Sequence, residues 1–274
     1  MIRILSKSII NKFILPYLSK ALRGYASKVP LWEIVNAILY KFKTGIQWHF
    51  LPIKSLINRR KIKYGAIYHH YRKWSKDGSW QRAFEQLLSK HKAHLDLSLA
   101  FLDATHSIAK RGGDEVGNYG KRKIKSTNTL WLTDRQGLVV AFCPPISGTR
   151  HDAFDIKKRF REMLNFFHNA QIELKGLWLN ADKAFECEAL RQVCNQFEIE
   201  LNAPHNRRRA KDLEDDLPYF DELMFEERYK IERTNAWMDN NRSFVLRFDK
   251  SITSWYAWHY IFCIIQWIDK VLKV

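Results

Sequence analysis

Leu95-Asp96-Leu97-Ser98-Leu99-Ala100-Phe101-Leu102-Asp103 and Leu177-Trp178-Leu179-Asn180-Ala181-Asp182 are the two stretches on which the fold turns. In the first, Leu95, Leu97, Leu99 and Phe101 alternate with Asp96, Ser98 and Ala100, the two-residue period of a strand. That strand is expected to end at Leu102-Asp103. The second is a short apolar strand that runs straight into Asp182. Two apolar strands therefore each deliver a carboxylate.

The segments around them supply the rest of a sheet. After a polar, glycine-rich segment from Lys110 to Ser126, Asn128 to Thr133 and Leu138 to Phe142 flank the turn Asp134-Arg135-Gln136-Gly137, a hairpin pattern. Residues 152–167 carry Ile156, Phe160, Met163, Leu164 and Phe167 at helical spacing, and Asp152 is the expected N-cap. The adjacent His151 also allows a His–Asp pair. A helix from about Phe185 to Gln196, a short strand at Ile199–Leu201, a charged loop over 205–221 and closing helices complete the chain. The order strand, strand, strand, helix, strand, helix, strand, helix predicts an α/β fold, a mixed sheet flanked by helices. This is the order of the ribonuclease H-like fold.

The first third is different. Residues 1–92 hold 19 Lys or Arg against only Glu33, Asp77 and Glu85, whereas the rest of the chain is nearly balanced; the whole carries +17. Trp32, Val35, Ile38, Leu39 and Phe42 recur at helical spacing after Pro30, and Gly45 ends the run. A second helix from about Lys61 to Lys76 has Tyr64, Ile67, Tyr68, Tyr71 and Trp74 on one side and Lys61, Lys63, Arg72, Lys73 and Lys76 on the other. A third follows with Trp80, Phe84, Leu87 and Leu88. Short helices with one strongly basic member predict an all-α, helix-turn-helix-like module over 1–92 that binds duplex DNA, beside a catalytic domain over 93–274. A merely soluble basic surface and an anionic membrane surface are the competing readings of the charge.

Cys143, Cys187, Cys194 and Cys263 form no C-x-x-C pair, which gives no support to a zinc or disulfide framework and points to a reducing compartment. Charges interrupt the apolar N-terminus before a signal-peptide core forms. The Trp-rich stretch from Ile252 to Ile268 is shorter than the ~20 residues of a membrane span and reads as a buried closing helix. A cytoplasmic, nucleoid-associated, bacterial-type protein is the expectation.

Paired carboxylates at strand ends repel, by about 4 kcal/mol at 4 Å for an effective dielectric near 20. Protonation or a bound cation must relieve this, and Mg²⁺ suits an oxygen site that also takes phosphate oxygens. A third carboxylate would complete a two-ion cage of the kind that transfers phosphoryl groups. Glu232 is the candidate, in Arg228-Tyr229-Lys230-Ile231-Glu232-Arg233-Thr234-Asn235-Ala236-Trp237. Arg228 lies four residues before it on the same helical face, where it could hold that carboxylate or meet a DNA phosphate. A solvated surface charge competes as a reading of Glu232 alone. Lys121, Arg122 and Lys123 in the glycine-rich segment are further DNA-contact candidates, as is the weaker run Arg207-Arg208-Arg209.

At these residues the sequence resembles the DDE transposases of the IS5 group of insertion sequences and the related PIF/Harbinger group. Asn36-Ala37-Ile38-Leu39-Tyr40, Thr44-Gly45-Ile46-Gln47-Trp48, Leu51-Pro52 and Ile67-Tyr68 through Tyr71-Arg72-Lys73-Trp74 are similar to the group's N-terminal domain. Asp103-Ala104-Thr105-His106, Ala181-Asp182-Lys183-Ala184-Phe185 and Ile231-Glu232-Arg233-Thr234-Asn235-Ala236-Trp237 resemble the three acidic blocks. Tyr119-Gly120-Lys121-Arg122-Lys123 and Ser147-Gly148-Thr149-Arg150-His151-Asp152 resemble the stretch between them. The resemblance implies a metal-dependent transposase that cleaves and joins DNA at terminal inverted repeats. It would use Asp103, Asp182 and Glu232 with Mg²⁺ or Mn²⁺ and assemble as a homo-oligomer on inverted-repeat and target DNA. Ala184 replaces a usual Gly, Phe225 a frequent Tyr, and Asp239 a Lys found in some members. With 50 residues between Asp182 and Glu232, no large insertion domain is expected. A DNA-binding protein that has lost cleavage, and a metal-free two-carboxylate glycosidase, are the alternatives; the basic first third has no role in the latter.

Overall fold

Asp96 and Ser98 decide where the first strand begins. The Asp96 carboxylate accepts from both the Ser98 backbone N–H and hydroxyl, a local turn that takes 96–98 out of the sheet. In the computed structural model, which describes residues 1–20, 27, 29–58, 62–120, 124–205 and 218–272, the strand therefore starts at Leu99.

In chain order the elements are α1 (Lys7–Phe13), α2 (Leu31–Thr44), α3 (Ile53–Leu56), α4 (Tyr64–Lys76), α5 (Ser79–His91), β1 (Leu99–Ala109), β2 (Gly117–Tyr119), β3 (Ile124–Asp134), β4 (Val139–Phe142) and β5 (Ile146–Ser147). They continue with α6 (Ile156–Ala170), β6 (Trp178–Ala181), α7 (Glu188–Gln196), β7 (Glu200–Asn202), α8 (Glu222–Glu226), α9 (Tyr229–Asp239), α10 (Arg242–Val245), β8 (Leu246–Arg247) and α11 (Ile252–Trp267).

The chain divides into two compact units, residues 1–87 with 108–114 and 238–274, and residues 88–107 with 115–237. This differs from a break at 92/93: the C-terminal 37 residues group with the basic helices. The reason lies in the aromatic core of that unit. Trp258 of α11 stacks on Tyr71 of α4 (4.3 Å between centroids) and on Phe42 of α2 (5.5 Å), and the Tyr71 hydroxyl donates to the Ser254 carbonyl. Helix α11 is buried on nearly every face, so it is a core element of the helical unit. Among the described residues no helix is long and apolar enough to cross a membrane.

The second unit holds a mixed sheet in the order β2-β3-β1-β6-β7, with β4 and β5 antiparallel to β3. β1–β6 and β6–β7 are parallel, which makes β1 and β6 neighbours as the sequence implied. Leu99 to Leu102 are all buried, the signature of a strand covered on both faces. Ile231 of α9 packs on Leu99 and Phe101. This is the ribonuclease H-like fold.

Three details depart from the sequence reading. β1 does not stop at Asp103 but runs on to Ala109, whose last residues pair with β8 within the helical unit. The glycine-rich segment contributes β2, paired with the start of β3 from Gly117↔Ser126 to Tyr119↔Ile124. Helix α6 starts at Ile156 rather than after Asp152, because the Asp152 side chain is drawn to the sheet and Asp155 takes the cap position in a left-handed conformation. The Gly148 of Ser147-Gly148-Thr149 has a spatial reason: an added Cβ would lie 2.7 Å from the Ser126 carbonyl oxygen.

Candidate active site

Leu102 is in register with Ala181 across the parallel β1–β6 pair. The next residue on each chain, Asp103 and Asp182, thus sits beside its counterpart at one level of the sheet. Asp182 closes the strand and caps the turn Lys183–Phe185, its Oδ1 accepting from the Ala184 N–H at 3.1 Å.

Both carboxylates meet Arg228, just before α9. Its Nη2 donates to Asp103 Oδ1 at 2.9 Å, and its Nη1 lies 3.6 Å from Asp182 Oδ2. Asn235, two helical turns on, donates to Asp103 Oδ2 at 3.3 Å and accepts from the Thr105 hydroxyl at 3.1 Å. Arg228 and Asn235 are seven residues apart and share one helical face. Burial pushes the Asp103 carboxyl above its ordinary pKa; Arg228, Asn235 and the Ala104 N–H oppose this without cancelling it. Two neighbouring carboxylates offer the hard oxygen donors that a divalent ion takes.

What aims Arg228 is a second set of contacts. Glu227 accepts from Arg135 at 2.6 and 3.0 Å and pairs with Lys230, which pull its pKa down to about 2. Arg135 belongs to the β3–β4 turn, whose Asp134 carboxylate binds the N–H groups of Asp96, Gln136 and Leu138. On the other side, the buried Asn202 donates to Asn180 Oδ1 and to the Asp221 carbonyl, and Asn180 donates to the Met224 carbonyl. The segment ahead of α9 is thereby fastened to both the hairpin turn and the parallel strands.

Glu232 lies on α9 and is exposed. At 100° per residue it stands about 40° round the helix from Arg228, on the flank away from Asn235. Among the described residues no three His, Cys, Asp or Glu side chains are gathered as a metal cage. The structure thus joins Asp103 to Asp182, and gives Arg228 the two aspartates as partners in place of Glu232.

A further network lies alongside. His106 Nε2 is 3.4 Å from Asp152 Oδ1, and its Nδ1 is 3.2 Å from the Ser126 hydroxyl. Asn128 Nδ2 donates to Asp152 at 2.7 Å, and the His106 ring lies 4.0 Å from that of Tyr119. Burial disfavours the Asp152 carboxylate, but the hydrogen bonds from His106 and Asn128 outweigh it and hold its pKa below the ordinary value. The partner of Asp152 is therefore His106, a residue 46 positions away, and not the adjacent His151. Only strand pairing reveals it.

Of the expected DNA contacts, Lys63 is exposed at the start of α4. Arg72 donates to the Tyr68 hydroxyl at 3.3 Å. Lys73 is committed internally: it donates to the Ser19 carbonyl at 2.9 Å and pairs with Asp77 at 3.6 Å. Lys61, Lys121, Arg122, Lys123 and Arg207-Arg208-Arg209 lie outside the described residues.

Residues 10–84 match a family model described as "Putative transposase of IS4/5 family (DUF4096)". The match covers 75 of the 274 residues, all within the helical unit. No curated protein matches the sequence. Among solved structures, it is similar to the piggyBac transposase in a synaptic complex with hairpin DNA, at 9% identity over 96% of this chain and 71% of that one, with a TM-score of 0.50. At that identity the likeness concerns the fold. A pre-cleavage Mos1 transpososome matches at 14% identity over 93% of this chain and 82% of the other, with a TM-score of 0.31. A Mos1 mariner paired-end complex with Mn matches at 13% over 90% and 81%, also at 0.31.

Proposed function

We propose that the protein is a DNA transposase that breaks and joins phosphodiesters at the Asp103–Asp182 pair, using Mg²⁺ or Mn²⁺, with Glu232 as the third carboxylate. The observation that carries the reading is the register Leu102↔Ala181, which sets two carboxylates side by side at one level of a parallel strand pair and leaves them sharing one cation. Two neighbouring carboxylates offer the hard oxygen donors these ions prefer. Asp103 and Asp182 would hold the metal, with Glu232 joining from the exposed flank of α9; the metal would supply Lewis acidity toward a phosphate oxygen.

The chain's own residues prepare that chemistry. Asn235 fixes the orientation of Asp103, itself oriented by Thr105. Arg228 neutralises the pair and offers a planar guanidinium that suits a DNA phosphate equally well. The reaction class is in-line transfer of a DNA phosphate, first to water and then to a 3′-hydroxyl.

The substrate in this reading is duplex DNA, inverted-repeat ends and target, bound by a homo-oligomer in the cytoplasm. The strongly basic residues 1–92 support it, and so does the fold shared with a transposase solved on hairpin DNA. Lys63 and Arg72 would contribute phosphate contacts, whose strength falls steeply with salt. Calorimetric titration of the full chain with Mn²⁺ tests the site. Binding should be lost in Asp103→Asn and Asp182→Asn and weakened in Glu232→Gln. Wild-type affinity in all three would refute the assignment.

A further inference from the structure

The helical unit contains a cavity of about 520 Å³, within the range that small-molecule sites occupy. Its chemistry is divided. Part of the lining is aromatic: Trp48 and Tyr68 lie 5.2 Å apart, and Trp48 is backed by Tyr71 at 5.2 Å and Trp258 at 6.2 Å. Part is basic, with Arg72, Arg111 and Lys250. Two further charged groups of the lining are held inside the protein. Lys41 donates to the Ser243 hydroxyl at 2.9 Å, and Asp249 accepts from the Trp258 indole N–H at 3.0 Å. Two further aromatic side chains that line the cavity, Tyr64 and Phe248, are 45% and 50% exposed, so the aromatic surface continues out to solvent.

We propose that this cavity binds a single unstacked nucleotide, its base against Tyr68 and Trp48 and its phosphate on Arg72 and Arg111. The inference rests on reading the chain as a DNA-acting enzyme, and extends it to a second site, in the helical unit. A purely apolar ligand would make no use of the cationic part of the lining. A paired base cannot offer its face to an aromatic side chain, whereas an unstacked one can, and any base has such a face. Arg72 is well placed for a double duty: it donates to the Tyr68 hydroxyl, with its guanidinium carbon 5.9 Å from the ring it would share with the base. The nucleotide could come from a DNA strand, with the neighbouring bases still paired, or from free solution. The chemistry is the same.

The experiment uses the full chain and three probes: a fully paired duplex, the same duplex with one unpaired 2-aminopurine, and free 2-aminopurine deoxynucleoside monophosphate. The unpaired duplex should bind roughly tenfold tighter than the paired one, in line with the worth of one base–aromatic stack, with its 2-aminopurine emission quenched. Tyr68→Ala should remove both the preference and the quenching, Tyr68→Phe should keep them, and Arg72→Gln should lower affinity while leaving some quenching. Paired and unpaired duplexes bound alike, without quenching, would overturn the pocket and leave the DNA-binding reading standing. Quenching of the free nucleotide with no duplex bound would do the reverse. A preference that survives in both Tyr68→Ala and Trp48→Ala would place the nucleotide elsewhere and also overturn it, as would no binding of any probe.

Discussion

Replacing Arg228 by methionine removes the shared cation and keeps most of the aliphatic stem. The Arg228 and Asp103 side chains are only 22% and 19% exposed, so their 2.9 Å contact is a charge-assisted hydrogen bond with limited screening. Such a bond contributes about 1.5–3 kcal/mol. The contact to Asp182 is longer, at 3.6 Å, and that carboxylate is 41% exposed, so it adds no more than about 0.5 kcal/mol. Without Arg228, Asp103 keeps only the Asn235 amide at 3.3 Å and the Ala104 N–H. Arg228→Met should therefore lower the local stability of the sheet by about 2 kcal/mol in EDTA, read as faster amide exchange in peptides spanning 177–202. In an Asp103→Asn background the same substitution should cost under about 1 kcal/mol, since the buried charge is gone. Equal costs in the two backgrounds would refute the claim that Arg228 acts through Asp103.

Burial pushes the Asp134 carboxyl up to about 6, against three backbone N–H donors. The folded chain then holds that proton more tightly than the unfolded one, so the group's contribution to stability is full below about pH 4 and lost as pH rises through about 6; a carboxyl-carbon NMR titration with a midpoint near 4 would contradict this. Gly137 has φ +84°, and an added Cβ would lie 2.9 Å from Thr234 Oγ1 and 3.2 Å from the Lys230 carbonyl oxygen. Gly137→Ala should destabilise by about 1–3 kcal/mol in urea unfolding, and an unchanged midpoint would show that the turn relaxes freely. A fragment of residues 1–92 lacks the α11 side chains that cover Phe42 and Tyr71. It should show no cooperative thermal transition, unlike the full chain, and a sharp transition would restore a division at 92/93.

The elements that carry a period were legible in the sequence. The strands β1 and β6, the hairpin, α2, α4, α6 and the buried α11 follow from spacing and from which residues tolerate burial, and the nearness of β1 to β6 from the strand order. What the sequence hid was decided by polar side chains, one closing a local turn and two reaching across the chain. Asp96 closes a local turn and delays β1; Asp152 leaves its cap for Asn128 and His106; Arg228 turns to the aspartates instead of to Glu232, four residues along. A hydrogen-bond partner 20 to 130 residues away leaves no periodic trace. The membership of α11 in the helical unit was equally invisible, because an all-round apolar helix records that it is buried but not against what.

Asn235 shows the middle case. Its place on one face with Arg228 follows from helical spacing, but its bond to Asp103 needs the sheet beneath. The Glu227–Arg135 clamp likewise joins the hairpin turn to the segment ahead of α9, a pairing that no spacing records.

The most direct measurement is cleavage of a labelled duplex carrying the DNA ends that flank this gene, by the full chain and by Asp103→Asn, with Mg²⁺, with Mn²⁺ and with EDTA. Cuts at the element ends by the wild type with either metal, absent with EDTA and absent in a variant that still binds the duplex, are the predicted result. Cleavage that persists in EDTA, or in Asp103→Asn, would contradict the assignment of Asp103 and Asp182 as the metal-holding pair.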